Sequence, residues 1–173
     1  MTSTIGIVVG NPRPASRTLA VAESVATAAA AAVGLTATSR VTVDLAELGP
    51  SLFDWNSADV RAAVDAIRAC SLVVIASPTY KASYTGLLKS FLDWFSTTDL
   101  AHTVVVPVMV GAGEQHALAV EVQLRPVLVE LGAVMPSRGL YVTEAQFADV
   151  DDVVAAWLDE AGPRLQAALG PEA

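Results

Sequence analysis

Residues 72–95, LVVIASPTYKASYTGLLKSFLDWF, constrain the fold of this chain more than any other stretch. They open with an apolar run rich in β-branched residues, which is typical of a strand buried on both faces of a parallel sheet. Because Pro78 has no N–H to donate, we expect the strand to break into a polar loop at Ser77-Pro78. After Gly86, apolar residues recur at spacings of three and four, which predicts an amphipathic helix. The stretch therefore predicts half of a βαβ unit, with a loop where open α/β sheets bind ligands.

The rest of the chain repeats this alternation of short apolar strands and helical segments. Strands are predicted at 4–9, 41–45, 72–76, 104–110 and 139–142, and helices at 16–33, 58–69, 86–95, 115–131 and 150–169. Pro126 predicts a kink or a break in the fourth of these helices. The alternation indicates an α/β fold with a doubly wound parallel sheet and helices on both faces. No repeat or linker is visible, so we expect one domain over residues 1–173.

Composition and charge exclude several classes of function. The chain has 18 acidic and 10 basic side chains, and its net charge of −8 argues against nucleic acid and anionic membranes as partners. No run reaches the roughly 18 apolar residues of a transmembrane helix, and no basic region precedes the first apolar run as in a signal peptide. A single cysteine, Cys70, excludes an internal disulfide, so we expect a cytoplasmic protein with an inert core thiol. His102 and His116 lie too far apart to suggest a metal motif, and no metal site is expected.

The loop after the first strand, GNPRPASRT at residues 10–18, lacks the marks of several nucleotide-binding motifs. Gly10 alone does not make a dinucleotide fingerprint, and the loop has neither the second glycine nor the lysine of a P-loop. Asp44, at the end of the second strand, could mimic a ribose-binding acid, but the glycines that should accompany it are missing.

The same loop nevertheless suits a phosphate group. It leads into a predicted helix, whose free N–H groups and positive dipole end favour an anion. Ser16 and Thr18 can donate hydroxyl hydrogen bonds, and Arg13 or Arg17 can add a charge-assisted pair. The alternative is a solvated basic turn in which Ser16 only caps the helix.

Three segments together carry a resemblance to a known family. GNPRPASRT resembles the G-S-x-R-x-x-S-x-T phosphate loop of the NADPH-dependent FMN reductase family. SPTYKASYTGLLKSFLDWF is similar to that family's S-P-x-Y-x-x-x-x-x-G-x-L-K-x-x-L-D block, and GAGEQHALAVEVQLRPVLVELGA resembles its third block. The resemblance implies a flavodoxin-like fold with the strand order 2-1-3-4-5. The relatives it points to are flavin reductases of two-component alkanesulfonate monooxygenases.

The resemblance also implies which residues hold FMN. Phosphate contacts are implied for Asn11, Arg13, Ser16, Arg17 and Thr18; the isoalloxazine ring would be lined by Pro78, Thr79, Tyr80 and Lys81, and its other edge approached by Gly111, Ala112 and Gly113. The sequence departs from the family at Asn11, where serine is usual, and at Ala112, where glycine is common. Val122 stands where some relatives carry an aromatic residue or a histidine in their oligomer interface.

The implied activity is that of an NAD(P)H:FMN oxidoreductase, which passes a hydride from NADPH or NADH to flavin N5. No side chain need act as a nucleophile or base, so no catalytic side chain is predicted. The family assembles through the helices predicted at 86–95 and 115–131, so we expect a homodimer or homotetramer. Reduced flavin would supply a flavin-dependent monooxygenase.

Two other functions stay open on the same residues. In the first, FMN remains bound and electrons pass from NAD(P)H to a quinone, an azo compound or a metal ion. In the second, the chain is a flavodoxin-like electron carrier. Carriers usually have a T/S-x-T-G-x-T phosphate loop without arginines, and GNPRPASRT does not match it.

Overall fold

The computed structural model describes residues 4–35 and 39–170, and in them five strands form one parallel sheet. The strands are β1 Thr4–Val9, β2 Ser39–Asp44, β3 Leu72–Pro78, β4 Val104–Gly111 and β5 Leu140–Thr143. Their order is β2-β1-β3-β4-β5, and each neighbouring pair is parallel. This flavodoxin-like, doubly wound arrangement confirms the predicted fold.

Helices cover both faces of the sheet. They are α1 Arg17–Ala32, α2 Leu45–Leu48, α3 Ala58–Arg68, α4 Gly86–Leu92, α5 Arg125–Glu130 and α6 Val150–Leu169. Successive strand residues point to opposite faces. Ile7 therefore packs in the core beneath α1 and α6, and Val8 in the core beneath α3, α4 and α5. Among the helices in ranges 4–35 and 39–170, none is long and apolar enough to cross a membrane.

The prediction that β3 ends before Ser77-Pro78 is wrong, because the strand continues through Pro78. The pairing of β3 with β1 stops at Ala76, whereas its pairing with β4 runs on to Pro78. The N–H of Thr79 donates to Val110 O on β4 at 2.6 Å. Because alternate peptides of a strand point to opposite sides, the nitrogen of Pro78 faces the β1 side, where the ladder has already ended. The missing N–H therefore removes no hydrogen bond.

The helix predicted at 115–131, with a kink or a break at Pro126, is shorter and irregular in the structure. The segment consists of a 3₁₀ turn at Glu114–His116, a π-helical turn at Val120–Leu124 and the short helix α5. Pro126 lies in the first turn of α5, where backbone N–H groups have no partner within the helix. Pro126 therefore lies where the π-helical turn passes into α5.

Smaller differences have local causes. The strand predicted at 41–45 ends one residue earlier, because the side chain of Asp44 accepts a hydrogen bond from Ala46 N–H and begins α2 at Leu45. The helix predicted at 86–95 ends at Leu92. The predictions for 4–9 and 150–169 agree with β1 and α6.

Cys70 is buried, and burial raises the pKa of its thiol to about 11.

Candidate functional site

A cleft of about 350 Å³ opens at the carboxyl ends of β1, β3 and β4. Ten of the twelve predicted site residues line it: Asn11, Arg13, Ser16, Arg17, Thr18, Pro78, Thr79, Tyr80, Gly111 and Ala112. Lys81 and Gly113 lie outside its lining. Residues that the sequence did not single out complete the wall, and these are Pro14, Ala15, Val110, Glu144 and Phe147.

The loop between β1 and α1 is folded around the buried side chain of Asn11. Its Nδ2 donates to Thr18 Oγ1 at 3.0 Å, and its Oδ1 accepts from Arg13 N–H at 2.9 Å. The amide that stands where the family usually has serine therefore shapes the loop. Thr18 uses its oxygen as the acceptor in this contact, so its own hydroxyl hydrogen is left to point elsewhere.

Ser16 has the capping role that the sequence left as one alternative, and it also lines the cleft. It is the N-cap of α1, with its Oγ accepting from Leu19 N–H at 3.3 Å. A capping hydroxyl accepts a hydrogen bond and keeps its hydrogen for another acceptor. In the described residues, the N–H groups of Arg17 and Thr18 find no backbone acceptor, as is usual in a first helical turn. The end of α1 therefore offers several donors to an anion in the cleft.

Asp44 holds the same loop from the outside. Ala15 has a φ of 49°, which is unusual for a residue other than glycine. Its N–H donates to Asp44 Oδ2 at 3.1 Å, while Asp44 Oδ1 accepts from Ala46 N–H at 3.3 Å. Asp44 does not line the cleft, so the ribose-binding role considered for it has no support here.

Thr85 joins the loop after β1 (residues 10–16) to the loop after β3. Thr85 Oγ1 donates to Gly10 O at 2.5 Å and accepts from Leu88 N–H at 3.1 Å, which caps α4. A Cβ placed on Gly10 would lie 2.5 Å from Leu88 Cβ. Glycine is therefore required at this position because the end of β1 approaches α4 so closely.

The loop after β3 contains a tight turn in an uncommon conformation. Tyr80 N–H donates to Ser83 O at 2.8 Å, and Ser83 N–H donates back to Tyr80 O at 3.2 Å. The two residues between them, Lys81 and Ala82, have φ angles of 52° and 64°. Each left-handed residue of this kind costs roughly 1–3 kcal/mol, and such strain clusters at functional sites. Within the described residues, the N–H groups of Lys81 and Ala82 have no backbone acceptor.

The loop after β4 is supported by a tyrosine that the sequence did not single out. Tyr141 on β5 donates its hydroxyl to Gly113 O at 3.0 Å. A Cβ on Gly111 would collide with the same hydroxyl and would lie 3.2 Å from Thr79 Oγ1. Thr79 Oγ1 is itself buried and has no hydrogen-bond partner among the residues that the structure describes. An unpartnered buried hydroxyl at the wall of the cleft is a candidate hydrogen-bond donor to a ligand.

The segment after β5 supplies a further wall. The guanidinium carbon of Arg17 lies 4.9 Å from the centre of the Phe147 ring. Phe147 and Glu144 follow the carboxyl end of β5, which lies at the same edge of the sheet as the other loops. Because ligands bind at the carboxyl ends of the strands in open α/β sheets, Glu144 and Phe147 could have been proposed from their position just after β5.

The donor set of the cleft suits FMN. The end of α1 offers N–H groups, hydroxyls and arginines to a phosphate, and the far side offers Thr79 Oγ1 to a polar ring. In the two described ranges, no group of three or more His, Cys, Asp or Glu residues is arranged to hold a metal ion.

Comparisons with known proteins agree with this assignment. Among curated proteins, an NADH-dependent FMN reductase, SfnF, of Pseudomonas fluorescens is 40% identical over 92 residues, which cover 53% of this chain and 49% of that protein. SfnE, an NADH-dependent FMN reductase of Pseudomonas putida, is 30% identical over 145 residues, which cover 81% of this chain and 76% of SfnE. The chain spans about half the length of the first curated relatives it matches.

Solved structures extend the likeness to nearly the whole chain. The apo form of an NADH:FMN oxidoreductase, EMOB, superposes with a TM-score of 0.83 at 32% identity, covering 99% of this chain and 92% of that one. An oxidoreductase from Corynebacterium diphtheriae gives 0.85 at 26% identity, covering 99% of both chains. The family model of NADPH-dependent FMN reductases matches residues 3–148. The chain belongs to the NADPH-dependent FMN reductase family.

Proposed function

We propose that this protein is an NAD(P)H-dependent FMN reductase that uses NADPH or NADH as its hydride donor. One observation carries the proposal: the loops after β1, β3 and β4 meet in one cleft, with anion donors at one end and an unpartnered buried hydroxyl at the other. Relatives named as FMN reductases support it, among them FMN reductases (NADPH) of Pseudomonas aeruginosa and Escherichia coli.

The phosphate of FMN would lie at the start of α1. Ser16 would donate its free hydroxyl hydrogen, and Arg17 and Thr18 their backbone N–H groups. Arg13 is exposed at the cleft and would add a charge-assisted hydrogen bond. Because the chain carries a net charge of −8, these local donors have to overcome a field that repels anions.

The ring system would lie across the ends of β3 and β4. Thr79 would donate its buried hydroxyl, and the strained turn at Lys81 and Ala82 would offer two backbone N–H groups. Donors fixed in this way favour negative charge on a neighbouring group without having to reorganise. Gly111 lines this part of the cleft, and only glycine fits there because a side chain would meet the Tyr141 hydroxyl.

In this arrangement the flavin and the protein have different tasks. When bound, the flavin supplies the hydride chemistry, and the chain supplies binding, orientation and electrostatic support. No side chain of the chain is assigned the role of acid, base or nucleophile. We further propose that residues 1–173 act as one FMN-binding domain and that reduced flavin passes to a separate monooxygenase.

Assembly into a homodimer or homotetramer is part of the same proposal. Leu118, Val122 and Val129 are 71%, 58% and 59% exposed along the segment that contains the π-helical turn and α5. Large apolar side chains exposed on one segment are typical of an interface. Light scattering on wild type and on Leu118→Glu would test this, since a monomeric wild-type protein would contradict it.

The test of the function is a spectrum followed by a rate. The purified protein is examined for the visible absorbance of flavin, and NADPH or NADH oxidation is then followed in air with and without added FMN. A colourless protein whose rate saturates with FMN would support a reductase that uses flavin as a substrate. A yellow protein whose rate of NAD(P)H oxidation does not change with added FMN but rises with a quinone would favour a reductase that keeps FMN bound. Absence of both flavin binding and NAD(P)H oxidation would exclude the assignment.

A further inference from the structure

Arg17 is held by an aromatic ring instead of a carboxylate. Its guanidinium carbon lies 4.9 Å from the ring centre of Phe147, and both side chains line the cleft. Among the described residues, no carboxylate oxygen lies within 4.0 Å of the Arg17 nitrogens. Glu144 lines the same cleft but forms no such pair with Arg17. The Arg17 charge therefore lies in the cleft without an ion pair among the described residues.

The ring is itself fixed by its surroundings. Phe147 lies in the 3₁₀ turn at Glu144–Asp149, whose start is tied down by Gln146: Oε1 of Gln146 accepts from Thr143 N–H and from Thr143 Oγ1, both at 2.9 Å. Phe147 also packs against the core beneath α1 and α6. The side chain that holds Arg17 is thus anchored to β5 and to the core, about 130 residues away along the chain.

We propose that Phe147 is a positioning residue that holds the Arg17 guanidinium for the phosphate group of the flavin nucleotide. This rests on the proposed function, because it assigns a residue to the phosphate end of the same cleft. A guanidinium stacked on a ring face keeps its N–H donors in its own plane, free for an anion. A free arginine side chain loses considerable rotamer freedom when it binds, and a side chain that is already stacked loses less.

The experiment compares FMN with riboflavin, which carries the same ring without the phosphate. Dissociation constants are measured by quenching of flavin fluorescence for wild type, Phe147→Leu and Phe147→Tyr. We expect Phe147→Leu to weaken FMN about 2- to 5-fold, as for an exposed cation–π contact, and to leave riboflavin unchanged. Phe147→Tyr retains an aromatic face and should restore wild-type affinity for FMN. Phe147→Met tests the same point if the leucine variant does not fold.

A second measurement separates positioning from packing. In the background of Arg17→Gln, the Phe147→Leu change should have no further effect on FMN affinity, because no guanidinium remains to be held. Equal weakening of FMN and riboflavin by Phe147→Leu, or full additivity of the two changes, would overturn the proposal. Failure of the wild type to bind FMN at all would instead reject the proposed function, and the two failures are therefore distinguishable.

Discussion

The carboxylate of Asp44, the last residue of β2, accepts a hydrogen bond from Ala15 N–H in the loop after β1, at 3.1 Å. The contact joins the outermost strand on that side of the sheet to the loop that leads into α1. Ala15 has a φ of 49°, so a buried acceptor holds a backbone conformation that alanine rarely adopts. The shape of the loop between β1 and α1 therefore depends on a residue that does not line the cleft.

Substitution of Asp44 should destabilise the protein. Asp44→Ala leaves the N–H groups of Ala15 and Ala46 without their acceptor, and we expect the free energy of unfolding to fall by about 1–3 kcal/mol. Asp44→Asn keeps one oxygen acceptor and should lose less. Urea unfolding measures both. Equal stability of wild type and Asp44→Ala would show that the carboxylate does not hold the loop.

Gly111 and Tyr141 should respond to substitution as a pair. A Cβ on Gly111 would collide with the Tyr141 hydroxyl, so Gly111→Ala should destabilise the loop after β4. Tyr141→Phe removes that oxygen together with its hydrogen bond to Gly113 O, at a net cost of about 0.5–1.5 kcal/mol. Combined in one chain, the two changes should cost less than their sum, because the colliding atom is gone. Thermal unfolding of wild type, the two single variants and the double variant measures this. If the two losses of stability simply add, the predicted clash is contradicted.

Thr79→Val should have opposite effects on stability and on binding. Its buried Oγ1 has no partner among the described residues, and burial of an unpartnered hydroxyl costs about 1–3 kcal/mol. Valine removes that cost, so the flavin-free protein should become more stable. If the hydroxyl donates to FMN, the same variant should bind FMN about 2- to 10-fold more weakly. Thr79→Ser, which keeps the hydroxyl, is the matched control, and unchanged FMN affinity in Thr79→Val would refute the assigned contact.

Glu121 should make the stability depend on pH in the acid range. Burial raises the pKa of Glu121, but hydrogen bonds from Arg125 and from Gly139 N–H, with the charges of Arg125 and Arg138, bring the net pKa below its ordinary range. The folded-state pKa is thus lower than the unfolded one. The stabilisation is therefore complete above the unfolded pKa of about 4.3 and is lost as the pH falls through the lower folded value.

The measurement compares urea unfolding of wild type and Glu121→Gln across this acid range. At neutral pH the wild type should be the more stable, and the difference should shrink on acidification. Glu130→Gln, at an exposed position on α5, serves as the control. A difference that stays constant from neutral to acid pH would show that the charge of Glu121 does not contribute.

Local patterns in the sequence predicted most of the fold. β1 and α6 match their predicted bounds because apolar periodicity and flanking residues decide both ends. The strand through Pro78 was missed because its tolerance for proline depends on β1 having already ended, which only the assembled sheet shows. The π-helical turn at Val120–Leu124 was also not predicted, and Glu121 in it accepts a hydrogen bond from Gly139 N–H, 18 residues away.

The cleft shows the same division between local and long-range information. The loop at residues 10–18 lines the cleft as expected, and its polar residues could be recognised because they are close together in sequence. Tyr141 and Phe147 support Gly113 and Arg17 from the far end of the chain, and each is an ordinary aromatic residue in its own segment. These two contacts depend on the strand order, which brings β5 to the edge of the cleft.

The central claim is tested most directly by anaerobic reduction of FMN. FMN is mixed with NADPH or NADH and a small amount of the protein, and loss of the flavin's visible absorbance is followed with oxygen excluded. We expect wild type to accelerate the loss and Arg13→Ala, changed at the phosphate end, to be slower at low FMN concentration. Arg61→Ala, changed beside Trp94 and outside the cleft, should match wild type. A rate with wild-type protein equal to that without protein, for both nucleotides, would contradict the account.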